Sequence, residues 1–180
     1  LNNRLSEKYR VSEDTYRLIC YKYDAAGRLI DRMESVDAED VGQQAGPYCK
    51  KAFLHTKYTY DKNGNLTGLK LPNGGEVIRE YDVMDRVIME RVVDKAGGMD
   101  RCTAFAYDAA GRLVERTNGD GDSYRYRYDS CGRLVSETDE EGAVTRYFHN
   151  RNGELIKAVS ADNYDSLRDD GAGYTFSYDV

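Results

Sequence analysis

The 180-residue chain has no tryptophan, two prolines, two histidines and four phenylalanines. With only His55 and His149 available, a metal site would need distant residues to converge, and no Ser or Cys has a recognisable partner motif for nucleophilic catalysis. No apolar stretch approaches the roughly 18 residues of a membrane span. The 26 basic and 32 acidic residues are interspersed, giving a net charge of −6 with no basic run. The electrostatic footprint of a nucleic-acid binder is therefore missing. No two of Cys20, Cys49, Cys102 and Cys131 have CxxC spacing, so zinc and thioredoxin-type motifs are unsupported. Their even number permits two disulfides in a secreted protein, but the scattered spacing is also that of unpaired thiols. The start, Leu1-Asn2-Asn3-Arg4, is neither a signal peptide nor an initiator Met, and it reads as the middle of a longer protein.

What is abundant is tyrosine, with 16 residues, a large part of the 40% hydrophobic content. Few aliphatic side chains remain for a closed interior. A tyrosine ring packs while its hydroxyl stays wet, which favours a thin sheet with rings lying along it. Disordered chains are poor in aromatics, so disorder is set aside outside the insertions described below.

The tyrosines recur in register. Tyr23-Asp24-Ala25-Ala26-Gly27-Arg28-Leu29 returns as Tyr107-Asp108-Ala109-Ala110-Gly111-Arg112-Leu113 and as Tyr128-Asp129-Ser130-Cys131-Gly132-Arg133-Leu134. Weaker copies begin at Tyr60-Asp61, with Gly64, and at Tyr81-Asp82, with Asp85 in the glycine place. A degenerate copy begins at His149, and a seventh opens with Tyr178-Asp179. The anchors at 23, 60, 81, 107, 128, 149 and 178 define a period of 21, interrupted by insertions at about 34–52, 93–100 and 160–173. Two residues before the anchor stands another aromatic, at Tyr21, Tyr58, Phe105, Tyr126, Tyr147 and Phe176, with Arg79 the exception. Residues two apart share one face of a strand but not of a helix, so aromatic-x-Tyr-Asp predicts a strand with both rings on one side.

The next residues predict a turn. The aspartate carboxylate can accept a backbone N–H two residues on, and the glycine supplies the left-handed conformation that closes a hairpin with a bulge. Asp85 tolerates that conformation better than most residues. A second strand follows, as in Arg112-Leu113-Val114-Glu115, then a second turn such as Leu71–Gly75, Asn118–Gly121 or Asp139–Gly142. Two strands of about 6 residues and two turns of about 4 fill the period. The expected fold is all-β: tandem antiparallel hairpins forming a curved, twisted sheet, in a single array over 1–180. The first insertion reads equally as a long loop or as a short helix after Ser35. All three insertions read as surface loops and the most mobile parts.

The candidate chemistry is thin. Asp24, Asp61, Asp82, Asp108 and Asp129 recur too regularly for catalysis, which needs one asymmetric constellation, and read as turn caps. His149 stands in an anchor place and reads as a packing residue. Asn118-Gly119-Asp120-Gly121-Asp122 faintly resembles a calcium loop but lacks its twelfth-position glutamate, so a polar turn is the better reading. The acidic stretch Asp162–Asp170 reads as a solvated loop. No catalytic, cofactor or metal residue is assigned. The anchor tyrosines are expected to stack on one another between strands, at roughly 0.2–1 kcal/mol per cross-strand pair. The alternative is an exposed aromatic row, Tyr21, Tyr58, Tyr126 and Tyr147, that binds carbohydrate or a surface protein.

The Tyr-Asp-x-x-Gly-Arg-Leu core in a unit of this period resembles the Rhs/YD-repeat family, over about Tyr16 to Val180. The resemblance implies large bacterial secreted or cell-surface proteins, polymorphic toxins and insecticidal toxin subunits among them. In these, hairpin arrays spiral into a hollow shell around a toxic C-terminal domain. Seven anchors are too few to close a shell alone. The Asp-Pro step of the toxin-type array end is missing, since neither Pro47 nor Pro72 follows Asp. The expected role is thus a scaffold segment whose partners are other repeats of the same protein. Exposed strand edges predict dimerisation, capping by the insertions, or aggregation.

Overall fold

The computed structural model describes residues 3–10, 16–37 and 51–179. Among them are sixteen strands, one 3-10 turn at Ala161–Asn163 and no α-helix. Among the described residues no helix is long and apolar enough to cross a membrane, which leaves strands aside. The chain divides into two compact units, Leu1–Arg101 and Cys102–Val180.

The first unit holds β1 (Ser6–Arg10), β2 (Tyr16–Tyr23), β3 (Leu29–Asp37), β4 (Lys51–Tyr60), β5 (Leu66–Lys70), β6 (Glu76–Tyr81) and β7 (Val87–Asp94). Each pairs antiparallel with the next in the chain. The boundary between the units falls within β8 (Met99–Tyr107). The second unit continues with β9 (Leu113–Asn118), β10 (Ser123–Tyr128), β11 (Leu134–Thr138), β12 (Val144–His149) and β13 (Leu155–Val159), again antiparallel neighbours in order. A small hairpin of β14 (Tyr164–Asp165) and β15 (Asp170–Gly171) follows, and β16 (Tyr174–Thr175) then pairs with β13.

The two-residue alternation of the sequence becomes a two-faced sheet. In β10, Tyr124, Tyr126 and Tyr128 are half-buried while Arg125 and Arg127 are exposed; in β4, Tyr58 and Tyr60 are half-buried while Lys57 and Thr59 are exposed. The sheet is thin, as the shortage of aliphatics implies. Among the described residues only Ile19 and Val159 are buried hydrophobics. Stability must therefore come largely from strand pairing and from side chains that bridge neighbouring hairpins.

A register shift sits one residue before each described anchor of a complete hairpin, for example between Lys22 and Tyr23 and between Arg127 and Tyr128. This bulge turns each strand into its hairpin. The glycine after it is left-handed, with φ 81° at Gly27 and 85° at Gly132, and Asp85 takes the same conformation at φ 60°.

In the first insertion Ser35 belongs to β3, and the core, 38–50, where a long loop or a short helix is expected, lies outside the described residues. The second insertion is mostly strand, with β7 and β8 lengthened around a four-residue turn. The third stays largely exposed, as a solvated loop does, but it is ordered by a 3-10 turn, short strands and ion pairs. Arg146 grips Asp169 through Nε and Nη2 at 2.8 and 2.9 Å, and Lys157 meets Asp170 at 2.6 Å. An added Cβ on Gly171 would come within 1.9 Å of the Asn163 carbonyl oxygen in the same insertion, and one on Gly173 within 2.1 Å of the Ala158 carbonyl oxygen in β13. This strap has no room for a side chain at either glycine, and ion pairs hold Asp169 and Asp170, both of which stay more than half exposed.

Candidate functional site

The recurring feature is a joint between one repeat and the next, built from the turn outward. In the turn at Asp129, Oδ1 accepts the backbone N–H groups of Cys131 and Arg133, each at 2.9 Å. Oδ2 accepts Arg133 Nε at 2.6 Å. Asp24 and Asp108 make the same bonds to Ala26 and Arg28, and to Ala110 and Arg112. The carboxylate thus satisfies loop N–H groups and fixes the arginine's direction at once. The backbone N–H and then the guanidinium of Arg28 and Arg133 hold the carboxyls of Asp24 and Asp129 below the ordinary range; for Asp108 the backbone N–H of Arg112 is again the leading cause.

The oriented arginine reaches forward. Arg28 Nη1 donates to the carbonyl of Asp61 at 3.0 Å, Arg112 Nη1 to that of Asp129 at 3.1 Å, and Arg133 Nη1 to that of Asn150 at 2.9 Å. The guanidinium also lies over the next anchor ring, 4.9 Å from the centroid for Arg28 on Tyr60 and for Arg112 on Tyr128. The anchor reaches back. Tyr60, Tyr81, Tyr128 and Tyr178 each donate their hydroxyl to the carbonyl of the leucine six residues past the preceding anchor: Leu29, Leu66, Leu113 and Leu155, at 2.8–2.9 Å. Burial raises the phenol pKa of Tyr60 and Tyr128, which keeps the hydroxyl a donor. Tyr23, Tyr60, Tyr81, Tyr107 and Tyr128 are all half-buried. The ring partner of Tyr60 and of Tyr128 is an arginine of the preceding repeat, where tyrosine on tyrosine was expected.

Three joints depart from this form. In the one from 149 to 178, Glu154 stands in the arginine place. In the one from 60 to 81, Asn65 stands in the arginine place and Asp85 in the glycine place of the following repeat. The amides of Asn63 and Asn65 both donate to Asp85 Oδ1, at 2.8 and 2.6 Å, and Asn65 also donates to Asp61 Oδ2 at 3.0 Å. Elsewhere that glycine sits under the arginine, with a Cβ built on Gly132 3.8 Å from Arg112 Nη1. The two replacements therefore compensate each other. In the one from 128 to 149, His149 replaces the anchor tyrosine, and its Nδ1 is buried with no hydrogen-bond partner. The imidazole is shorter than a phenol and has no hydroxyl to present at the position Tyr128 reaches.

The second aromatic row is also half-buried at Tyr21, Tyr58, Tyr126 and Tyr147. Tyr21 donates to Glu7 at 2.5 Å and Tyr147 to Glu137 at 3.4 Å. At the exception, Arg79 pairs across the strands with Glu90 at 2.7 Å. His55 meets Asp31 at 3.0 Å, with the imidazole 44% exposed. Asn118 caps an ordinary turn, accepting the N–H groups of Asp120 and Asp122 at 3.0 and 2.9 Å. Cys20, Cys102 and Cys131 are free thiols, and Cys49 lies outside the described residues. The arginines at 28, 112 and 133 are the residues that sequence reasoning left without a role. Their recurrence five residues past the anchors at 23, 107 and 128, with Arg86 at the same place after 81, is the signal that could have found them.

No curated protein matches the chain. Among solved structures, the chain is similar to the Tc holotoxin pore of Photorhabdus luminescens, with a TM-score of 0.64 and 15% identity over 88% of this chain and 8% of that one. It is also similar to TcdB2–TccC3 with Cdc42, at TM-score 0.61 and 17% identity over 79% of this chain. TcdB2–TccC3 without its hypervariable C-terminal region gives TM-score 0.61 and 16% identity over 83%. The chain spans about 8% of the length of each of these structures, and at these identities the likeness is one of fold. Residues 107–144, which hold the Asp108 and Asp129 turns and the joint between them, match the family model described as RHS Repeat. The turn geometry of that matched segment is repeated at Asp24, Asp61 and Asp82, so the features that match the RHS Repeat model recur outside it.

Proposed function

We propose that the chain is a structural segment of a secreted or cell-surface Rhs/YD-repeat protein, and that its 180 residues form one continuous array that builds wall rather than performing catalysis. The observation that carries this reading is the joint: the motif residues face the neighbouring repeat, and their polar groups are consumed there. Tyr128 spends its hydroxyl on Leu113, and Arg112 spends its guanidinium on Asp108, Asp129 and the Tyr128 ring. The structural-repeat residues, from Tyr23, Asp24 and Gly27 through Gly64 and Gly111 to Tyr128, Asp129 and Gly132, are assembly residues in this reading. The fold shared with Tc toxin components supports a shell of the kind that separates a cargo from its surroundings. Limited thermolysin digestion tests the proposal. The native chain should resist cleavage within β9–β13, and the pair Arg112→Ala with Arg133→Ala should open that region. Equal resistance in the variant, or specific glycan binding on an array that is lost in Tyr126→Ala, would contradict it.

A further inference from the structure

The face of the second unit opposite the tyrosines carries a polar row. Arg127, Ser136 and Arg146 are successive cross-strand partners on β10, β11 and β12, and the fully buried Val159 of β13 continues the row. The strap lies over it. Together they enclose a cleft of about 400 Å³ into which Tyr164, Ser166 and Asp169 also project.

The groups lining the cleft are unequally committed. Arg146 is fully used, by Asp169 and by the Val135 carbonyl at 2.6 Å. Asp169 is neutralised by that arginine and also accepts the Tyr164 hydroxyl at 2.8 Å. Arg127 makes no hydrogen bond or ion pair among the described residues, although its charge acts on Asp169. Ser136 is 6% exposed, and its hydroxyl has no partner there either. The residue is buried while its hydroxyl opens onto the cleft, where a ligand group can reach it. In the matching row of the first unit, Asp31 lies between Lys22 and Lys57, so the charges there are already balanced by neighbours.

We propose that this cleft is a binding site for a small hydroxylated monocarboxylate, with Arg127 taking the carboxylate and the Ser136 and Ser166 hydroxyls taking ligand hydroxyls. One uncommitted cation sets the charge of the ligand. The cleft volume is in the range of small organic ligands, roughly 300–1,000 Å³, and exceeds what a bare inorganic ion fills. A uronic acid is the simplest cyclic member of the class.

Isothermal titration calorimetry of the whole chain with glucuronate, glucose and inorganic phosphate tests the site. Glucuronate should bind and glucose should not. Arg127→Gln, on an exposed strand position, should weaken glucuronate by about tenfold, the loss of one hydrogen bond to a charged group. Ser136→Ala should weaken it by a smaller factor, with the melting temperature of Arg127→Gln unchanged. No heat with glucuronate, tighter binding of phosphate than of glucuronate, or undiminished binding by Arg127→Gln would overturn the assignment.

Discussion

The joints on either side of the repeat anchored at 128 differ by one ring. Each spans 21 residues, and each is made by an arginine that donates to the backbone carbonyl of the next turn, Arg112 to Asp129 and Arg133 to Asn150. At the first, Tyr128 fills the anchor, closes the hydroxyl bond to Leu113 and lies under the guanidinium. At the second, His149 fills it, and a ring nitrogen is buried without a partner. The turn chemistry shifts in step: Asn150 donates to Glu154 at 2.5 Å where Asp129 accepts from Arg133. The hairpin therefore survives loss of its tyrosine, because strand pairing and the arginine remain. What the tyrosine adds is a third tie between neighbours, and that addition can be measured.

The largest expected effect is removal of the ring. Tyr128→Ala should lower the urea-unfolding free energy by about 2–4 kcal/mol, near the low end of large-to-small aromatic losses because the ring is only half-buried. His149→Ala should cost clearly less, since no hydroxyl bond is lost. The compensated joint should break next. Asp85→Ala keeps a β-carbon in a left-handed position and removes the acceptor of two amides, an expected loss of about 1–2 kcal/mol in the same assay. In the opposite direction, His149→Tyr should stabilise the chain by about 1 kcal/mol, by removing an orphaned nitrogen and adding a hydroxyl bond of the kind the other anchors make. A lower unfolding midpoint for that variant would show that the pocket at 149 has been rebuilt around imidazole.

Acid should act on the joints through their carboxylates. The folded-state pKa values of Asp24, Asp82, Asp108 and Asp129 lie below the ordinary value of 3.8. The stability they contribute is therefore present above the unfolded value and is lost as pH falls through the depressed folded values. Asp169, held mainly by Arg146, is lowered to about 2, so the strap should loosen between pH 3.8 and about 2. Carboxyl carbon shifts in an NMR titration would report both. An Asp169 midpoint at the ordinary value would remove the strap from this account.

The repeat, its period and its turns were legible because they depend on local chemistry. An aspartate can cap only its own turn, and glycine or aspartate can take a left-handed φ within three residues of it, as Gly132 and Asp85 do. The joints were not legible because their partners lie one repeat away. Nothing near Arg112 in the chain announces that its guanidinium meets Asp129 and the Tyr128 ring. The ion pairs of the strap were hidden for the same reason. Asp169 and Asp170 are solvated acids, as expected, and the fold also brings Arg146 and Lys157 against them from 23 and 13 residues away.

The central claim is that neighbouring repeats are tied by the arginine of one acting on the anchor tyrosine of the next. A double-mutant cycle on Arg112→Met and Tyr128→Leu, followed by urea unfolding, measures that tie most directly. The account predicts a coupling energy of about 0.5–1 kcal/mol between the two positions, with no coupling between Arg112 and Tyr147. Additive effects of Arg112→Met and Tyr128→Leu would contradict it.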